Sequence, residues 1–163
     1  MKKVALILGS NISNGRNYLL EALPLIENRL GKFICKSSIY SSPPWGYNSQ
    51  NEYKNQVVVI KTALAPSDLL TNLLAIETSL GRVRNPNAIT YEDRTLDIDI
   101  LLIEEEIIKE SYLEVPHPRM HLRKFCLAPL AEVMPQWIVA TFNKTIEELL
   151  LECEDNSDLR KVE

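Results

Sequence analysis

Two spacings of apolar residues alternate along this chain, one typical of strands and the other of helices. Val4 to Leu8 is a continuous apolar run of strand length, which predicts a strand buried on both faces. Further strands are predicted for Phe33 to Tyr40, Val57 to Ile60, Thr95 to Ile103 and Ile107 to Ile108. The acidic run of residues 104–106 is expected to turn the chain before the last of these.

Apolar residues three or four positions apart predict two helices between the strands. The first contains Pro24, which should kink it or weaken its inner turn, and ends at Gly31. The second begins at Pro66, where a missing N–H costs nothing, and ends at Gly81. The apolar stripes of the two helices are Leu19, Ala22, Leu23, Ile26 and Leu30 in the first, and Leu69, Leu73, Ile76 and Leu80 in the second.

The C-terminal third is predicted to hold shorter helices. Residues 116–135 contain prolines and short apolar runs, which favour brief helices. Thr145 and Glu148 have the spacing of a capping box, which predicts a helix that buries residues 146, 149 and 150. The polar tail, from about residue 154, is expected to fray.

The order strand-helix-strand-strand-helix-strand predicts an α+β fold, a ferredoxin-like α/β sandwich. Its sheet would be mainly antiparallel, with helices packed on one face. With 163 residues, the chain is expected to form a single domain over residues 1–163.

Composition narrows the function classes. The formal net charge is −4, which argues against a general nucleic-acid binder, because such proteins need a basic face. No apolar run approaches the roughly 20 residues that span a bilayer. The apolar run near the N-terminus is too short for a signal peptide, and Cys35, Cys126 and Cys153 suit neither a disulfide framework nor a zinc site. These features predict a cytoplasmic protein.

The sharpest chemical signal is a pair of aspartates in a predicted strand. Asp97 and Asp99 should share one face, about 6.6 Å apart along the backbone, while residues 96, 98 and 100 share the other. Two neighbouring carboxylates repel each other unless a cation lies between them, and hard oxygen ligands suit Mg²⁺. The alternative from this segment alone is an edge strand whose solvent face carries two aspartates.

Arginines surround the aspartate pair in the sequence. Arg82, Arg84 and Arg94 precede the strand and Arg123 lies downstream. Guanidinium groups bind phosphate oxygens in a bidentate manner, so carboxylates and arginines together predict a polyphosphate site. Surface ion pairs with local acids would explain one or two of these arginines, but less easily all of them. The chain has no phosphate-binding glycine loop of the Gly-x-x-x-x-Gly-Lys type.

The two histidines are four residues apart, at His117 and His121, a spacing that would suit zinc on a helix. Prolines on both sides of His117 argue against a regular helix there. His117 is therefore predicted to donate a hydrogen bond to phosphate, and His121 is predicted to be exposed.

A second constellation suits a flat heterocycle. The stretch Ser42-Pro43-Pro44-Trp45 offers rigid backbone and an aromatic face, Tyr53 and Asn55 add a ring and an amide, and Phe125 could supply a second ring. Taken alone, a loop of prolines and aromatic residues is more often structural.

Taken together, these segments resemble the 6-hydroxymethyl-7,8-dihydropterin pyrophosphokinase family over nearly the full chain. The matching segments are residues 9–11 (Gly-Ser-Asn), 42–46, 53–55, 77, 81–84, 94–99, 115–117, 120, 123 and 125. The two most specific are Arg-Thr-Leu-Asp-Ile-Asp at 94–99 and Pro-His-x-x-Met-x-x-Arg-x-Phe at 116–125.

The resemblance implies a Mg²⁺-dependent enzyme of folate biosynthesis that transfers pyrophosphate from ATP to the pterin hydroxymethyl group. It implies that Asp97 and Asp99 hold two ions, and that these aspartates, Arg82 and Arg94 are catalytic. The implied ATP-binding residues are Glu77, Arg82, Arg84, Tyr91, Arg94, Ile100, His117 and Arg123. The implied pterin-binding residues are Ser42, Pro43, Pro44, Trp45, Tyr53, Asn55, Asp97 and Phe125. A monomer that binds only small molecules, neither nucleic acid nor membrane, is expected.

The chain departs from the family pattern at two places. Ser42 stands where the family usually has Thr, and the loop from Arg84 to Arg94 is two residues longer, with Tyr91 where a Trp-Gly-Pro-Arg run is typical. Two other function classes stay open from the sequence. They are another metal-dependent phosphate enzyme, such as a nuclease or hydrolase, and a non-catalytic nucleotide-binding module of ferredoxin-like fold.

Overall fold

Ten strands and four α-helices are seen in the computed structural model, which describes residues 1–44, 51–83, 86–87 and 95–163. The strands are β1 Lys2–Ser10, β2 Lys32–Lys36, β3 Tyr40–Ser42, β4 Tyr53–Thr62, β5 Asp97–Ile103, β6 Ile108–Lys109, β7 Glu114–Val115, β8 Ile138–Val139, β9 Lys144–Thr145 and β10 Arg160–Lys161. The helices are α1 Gly15–Arg29, α2 Pro66–Ser79, α3 Lys124–Val133 and α4 Ile146–Glu152, with a 3₁₀ turn at Met120–Leu122.

The main sheet is antiparallel and has β1 near its centre. Its strand order is β10-β3-β4-β1-β5, and β2 also pairs with β4. Strand β1 is buried from Val4 to Ser10 because both of its edges are paired and both faces are covered. The predicted antiparallel α+β arrangement is confirmed.

Helices cover both faces of the sheet, whereas the sequence predicted helices on one face only. Helices α1 and α2 pack on the face that carries Leu6, Leu8 and Val58. Helices α3 and α4 pack on the opposite face, against Ile7 and Val57. The predicted strand-helix-strand-strand-helix-strand unit ended at β5 and included only α1 and α2. The short C-terminal helices have weak apolar periodicity, so the sequence did not show that they pack on the second face.

The predicted strand from Phe33 to Tyr40 is divided into β2 and β3. Both pair with β4, and the pairing with β4 is interrupted at Ser37. There the Ser37 hydroxyl accepts a hydrogen bond from the Val57 backbone N–H at 3.0 Å. A side chain thus replaces a backbone partner, which loose alternation in the sequence does not reveal.

The polar C-terminal tail is ordered, contrary to the expectation that it frays. Strand β10 pairs with β3, and the backbone N–H of Val162 donates to the carbonyl of Ile39 at 2.9 Å. Asp155 accepts a hydrogen bond from the Lys124 backbone N–H at the start of α3. Backbone pairing does not require apolar side chains, so the composition of the tail gave no indication of it.

The predicted helix termini are confirmed. Pro66 occupies the first turn of α2, and the Thr145 hydroxyl accepts from the Glu148 N–H at 3.1 Å at the start of α4. Gly31 follows α1 where a Cβ atom would lie 2.1 Å from the Lys61 carbonyl oxygen, so only glycine fits. In α4, Ile146 and Leu149 are buried as predicted, while residue 150 is only partly buried. No helix in the described ranges has the length and apolar character needed to cross a bilayer.

Candidate active site

A row of three residues across the sheet forms the centre of the candidate site. Gly9, the next-to-last residue of β1, pairs with Asn55 on β4 and with Asp97 on β5. Alternation along the strands places all three on the face covered by α3 and α4. A Cβ atom at Gly9 would lie 3.1 Å from the Asn55 side-chain oxygen and 3.6 Å from the Tyr53 ring. Glycine therefore lets the side chains of β4 approach β1 closely.

The two aspartates lie on one face of β5, as the sequence predicted. Asp97 and Asp99 are both half-buried, while Leu96, Ile98 and Ile100 are buried in the apolar cluster of the opposite face. Two carboxylates on one rigid strand supply hard oxygen ligands, and a Mg²⁺ ion can take one or two of these and complete its octahedron with water and phosphate oxygens. The chemistry of this pair therefore fits the predicted ion.

Arg82 and Glu77 hold the start of β5. The Arg82 Nη1 donates to Asp97 Oδ1 at 2.8 Å and to the Leu96 carbonyl at 3.1 Å. Glu77, which is 1% exposed, accepts from the Ile98 backbone N–H at 2.8 Å and lies 3.7 Å from the Arg82 guanidinium. These contacts give Glu77 a definite task, fixing the strand and the arginine, which the sequence did not indicate.

His117 faces the same site from the segment that follows β7. Burial lowers the pKa of His117 to about 4, with Arg123 and Arg119 acting in the same direction and Asp97 against it. The imidazole is therefore neutral at neutral pH. Its Nδ1 accepts a hydrogen bond from the Arg119 N–H at 3.1 Å, so the ring proton is on Nε2, which can act as a donor.

Arg123 and Phe125 approach from the start of α3. The Arg123 guanidinium lies 5.5 Å from the centre of the Phe125 ring. Phe125 is half-buried and packs against the apolar cluster under α3. Burial raises the pKa of the Cys126 thiol, Arg123 opposes that shift, and Asp99 adds to it. The nearness of Cys126 to these charged groups was not predicted, since a lone cysteine carries no signal in the sequence.

The residues of the predicted heterocycle pocket lie on the side of Gly9 away from Asp97, on β3 and β4. The Asn55 Nδ2 donates to the Ser42 hydroxyl at 2.8 Å, and these side chains are 3% and 2% exposed. Tyr53, Pro43 and Pro44 are half-buried around them. The Ser42 hydroxyl therefore orients the Asn55 amide, and the threonine that the family usually has at this position would carry the same group.

Other predicted site residues are placed differently or lie outside the described ranges. Ile100 is 4% exposed and its side chain is in the core, on the face opposite the aspartates, so its predicted contact with ATP does not involve the aspartate face. His121, predicted to be exposed, is half-buried and its ring lies 4.7 Å from that of Phe142. The residues outside the described ranges are Trp45, Arg84, Tyr91 and Arg94.

Comparison with known proteins agrees with the motifs. The family model described as 7,8-dihydro-6-hydroxymethylpterin-pyrophosphokinase (HPPK) matches residues 5–135. A 2-amino-4-hydroxy-6-hydroxymethyldihydropteridine pyrophosphokinase of Porphyromonas gingivalis is 39% identical over 139 residues, covering 85% of this chain and 94% of that protein. The enzyme of the same name from Bacillus subtilis is 44% identical over 138 residues, covering 83% and 81%.

Solved structures show the same fold. The crystal structure of wild-type HPPK-DHPS from Plasmodium falciparum with pteroate matches with a TM-score of 0.74 and 18% identity. The match covers 93% of this chain, which spans 44% of the length of that larger chain. This likeness confirms the ferredoxin-like α/β fold.

Proposed function

This chain belongs to the HPPK family, and on that premise we propose that it transfers the pyrophosphoryl group of ATP to the hydroxymethyl group of 6-hydroxymethyl-7,8-dihydropterin. It is an enzyme, a pyrophosphokinase of folate biosynthesis. The observation that carries the proposal is the row of Asn55, Gly9 and Asp97 across three strands. It joins a pocket for a heterocycle directly to a cluster of carboxylates and arginines.

Asp97 and Asp99 would hold Mg²⁺, and the family resemblance implies two ions. When bound, Mg²⁺ supplies positive charge to the phosphate oxygens. The carboxylates themselves would fix that charge on β5, next to Gly9 of the neighbouring strand.

Three described side chains and two further arginines would bind the phosphates. Arg82 engages Asp97 and the Leu96 carbonyl through Nη1, and we assign its other N–H donors to the pyrophosphoryl oxygens. His117 would donate from Nε2, because its Nδ1 already accepts the Arg119 N–H. Arg123 would bind the ATP phosphates from α3, and Arg84 and Arg94 are assigned to the same task from the sequence.

The pterin would lie between Tyr53 and Phe125, which belong to β4 and α3 on the same face of the sheet. The side-chain amide oxygen of Asn55 and the backbone of residues 42–45 would bind the polar edge of the pterin. Ser42 would keep the Asn55 amide in one orientation. This arrangement directs the hydroxymethyl group toward Asp97.

The reaction breaks the bond between the α,β-bridging oxygen and the β-phosphorus of ATP, and forms one from the pterin hydroxyl oxygen to the β-phosphorus. The hydroxyl loses its proton and AMP leaves. Such transition states are loose, so the residues act chiefly by positioning the two substrates in line and neutralising charge. Arg82 would stabilise the pyrophosphoryl group as charge accumulates on it.

The proposal is tested by incubating the protein with Mg-ATP and 6-hydroxymethyl-7,8-dihydropterin and separating the nucleotides. We expect AMP to form only when the pterin, ATP and Mg²⁺ are all present. A pterin that carries a 6-methyl group in place of the hydroxymethyl group is the matched control, since it keeps the ring and lacks the nucleophile. AMP formation that continues with this control would contradict the proposal.

We also propose that the protein works as a single domain and as a cytoplasmic monomer. The thiols of Cys35, Cys126 and Cys153 are free, which suits a reducing compartment. Neither alternative function, a nuclease or hydrolase or a non-catalytic module, is favoured by any contact in the described ranges.

A further inference from the structure

The C-terminal strand β10 lies outside residues 5–135, the part of the chain that matches the family model. It covers the outer edge of β3, where Arg160 pairs with Ser41 and Lys161 with Tyr40. The pairing continues at the chain end, because the Glu163 carbonyl accepts a hydrogen bond from the Ile39 N–H at 3.0 Å. The tail therefore completes the edge of the sheet next to the proposed pterin pocket.

Side chains of β10 also reach the start of β4. The Arg160 Nη2 donates to both carboxylate oxygens of Glu52, at 2.8 and 3.0 Å. The same carboxylate accepts from the Ser41 hydroxyl at 2.7 Å, and Lys54 donates to that hydroxyl at 3.0 Å. Glu52, which directly precedes β4, thus links the tail to the middle of β3.

The segments joined in this way carry the proposed pterin-binding residues. Ser42 follows Ser41 directly, and Tyr53 follows Glu52. Strand β3 has three residues, and it pairs Ser42 with Tyr53 across the ladder. So short a strand makes few backbone hydrogen bonds of its own, and β10 supplies partners on its second edge.

A second contact ties the tail to helix α1. Arg16, near the start of α1, forms a two-pronged ion pair with the Glu163 side chain. The same turn of α1 contains Gly15, where a Cβ atom would lie 3.1 Å from the buried Ser10 hydroxyl that follows Gly9. The tail is therefore anchored to α1 as well as to β3 and Glu52.

We propose that Arg160 is a positioning residue for pterin binding, which acts by holding Glu52 and thereby fixes Ser42 and Tyr53. The inference rests on the proposed function for the identity of the bound ring. Arg160 would act through Glu52, without contacting the substrate itself. Its effect is confined to the pterin half of the site, because β5, with Asp97 and Asp99, lies on the far side of β1 and β4 in the strand order.

The kinetic test compares Arg160→Ala, Arg160→Lys and a deletion of residues 160–163 with the wild type. We expect Arg160→Ala to raise the KM for pterin about threefold, the scale of one exposed ion pair, and the deletion to raise it further. The KM for ATP should not change, and Arg160→Lys should restore part of the loss. Lys144→Ala is the matched control, since it breaks an exposed ion pair with Glu152 at 2.7 Å, and neither residue is assigned to a substrate.

Hydrogen exchange at backbone amides gives a readout that does not depend on activity. Arg160→Ala should speed exchange at residues 41–42 and 53–55 and leave β5 unchanged. Faster exchange with an unchanged KM for pterin, or equal rises in both KM values, would overturn the inference, as would unchanged exchange. If the wild type forms no AMP, the proposed function fails, and the exchange data still decide whether Arg160 holds the two strands.

Discussion

At the scale of single residues, Asp97 illustrates what the structure adds to the sequence. The sequence predicted two aspartates on one face, and this is confirmed. Repulsion between the two carboxylates would by itself make the removal of either one stabilising. Asp97, however, accepts a hydrogen bond from Arg82, whose side chain is only 10% exposed. Loss of Asp97 therefore removes the partner of a buried charge, which is costly.

We predict that Asp97→Asn and Asp99→Asn each lower turnover by about a hundredfold or more, as expected when an electrostatic contact in a water-excluded site is removed. Asp97→Asn should not raise the melting temperature, because Arg82 loses its charged partner. Activity assays with thermal melts measure both effects, and Asp68→Asn, an exposed aspartate on α2, is the control. Near-normal turnover in either site variant would refute the metal-binding assignment.

His117 gives a prediction on pH. Its pKa is about 4 in the folded protein and about 6.5 in an unfolded chain, because burial disfavours the charged form. The unfolded state therefore binds the proton first as the pH falls. The stability from the neutral imidazole is complete above about pH 6.5 and is lost progressively down to about pH 4.

Denaturant unfolding of the wild type and His117→Gln at several pH values isolates this contribution from that of the carboxylates. The wild type should lose on the order of 3 kcal/mol more than the variant between pH 6.5 and pH 4, at 1.36 kcal/mol per pKa unit. Parallel curves for the two proteins would show that the histidine is not buried in its neutral form.

At the scale of elements, the sequence predicted the strands and helices with strong periodicity and missed contacts made by polar groups. The buried run of β1 and the Pro66 start of α2 were evident because apolar spacing and proline geometry are local properties. The break at Ser37 and the pairing of β10 depend on distant backbone groups, which leave no local pattern.

Within the site, the sequence likewise did not reveal residues that hold the site residues in place through contacts with distant segments. Asp97, Asp99, Ser42 and Asn55 were found from residue type and spacing, and the structure brings them to the same end of the sheet. The task of Glu77 was not foreseen, because its contact with the Ile98 backbone joins α2 to β5 across 21 positions. Only the folded chain shows that contact.

We predict that Glu77→Ala lowers the free energy of unfolding by about 3 kcal/mol, since it leaves a buried backbone N–H and a buried guanidinium with fewer acceptors. Glu77→Gln should cost less, because the amide oxygen can still accept from Ile98. Urea unfolding measures both, and Thr78→Ala, its exposed neighbour on α2, should change stability little. Equal stability of Glu77→Ala and wild type would contradict this role.

At the scale of the whole molecule, the central strand β1 lies between the two halves of the site, the pterin half on β4 and the carboxylate half on β5. Asn55 and Tyr53 lie on β4, Asp97 lies on β5, and Gly9 on β1 stands between them. Helix α3 closes the same face with Phe125. Because different strands carry the two halves, mutations should affect pterin and nucleotide binding separately.

We predict that Tyr53→Ala and Phe125→Ala weaken pterin binding by about 1–3 kcal/mol each, by analogy with base–aromatic stacking, and spare the binding of an ATP analogue. Calorimetric titration with the analogue and Mg²⁺, followed by pterin, separates the two. Phe125 also packs on the apolar cluster under α3, so a thermal melt must accompany its titration. A loss of nucleotide affinity with pterin affinity unchanged would place these rings on the adenine.

The most direct test of the account is a phosphorus NMR spectrum of the complete reaction with Mg-ATP and 6-hydroxymethyl-7,8-dihydropterin. Attack on the β-phosphorus transfers two phosphates together, so the predicted products are AMP, as one phosphate signal, and a pterin diphosphate, as two coupled signals that grow at the same rate. ADP with a pterin monophosphate would mean attack on the γ-phosphorus, and ADP with inorganic phosphate would mean hydrolysis. Either result would contradict pyrophosphoryl transfer by this chain.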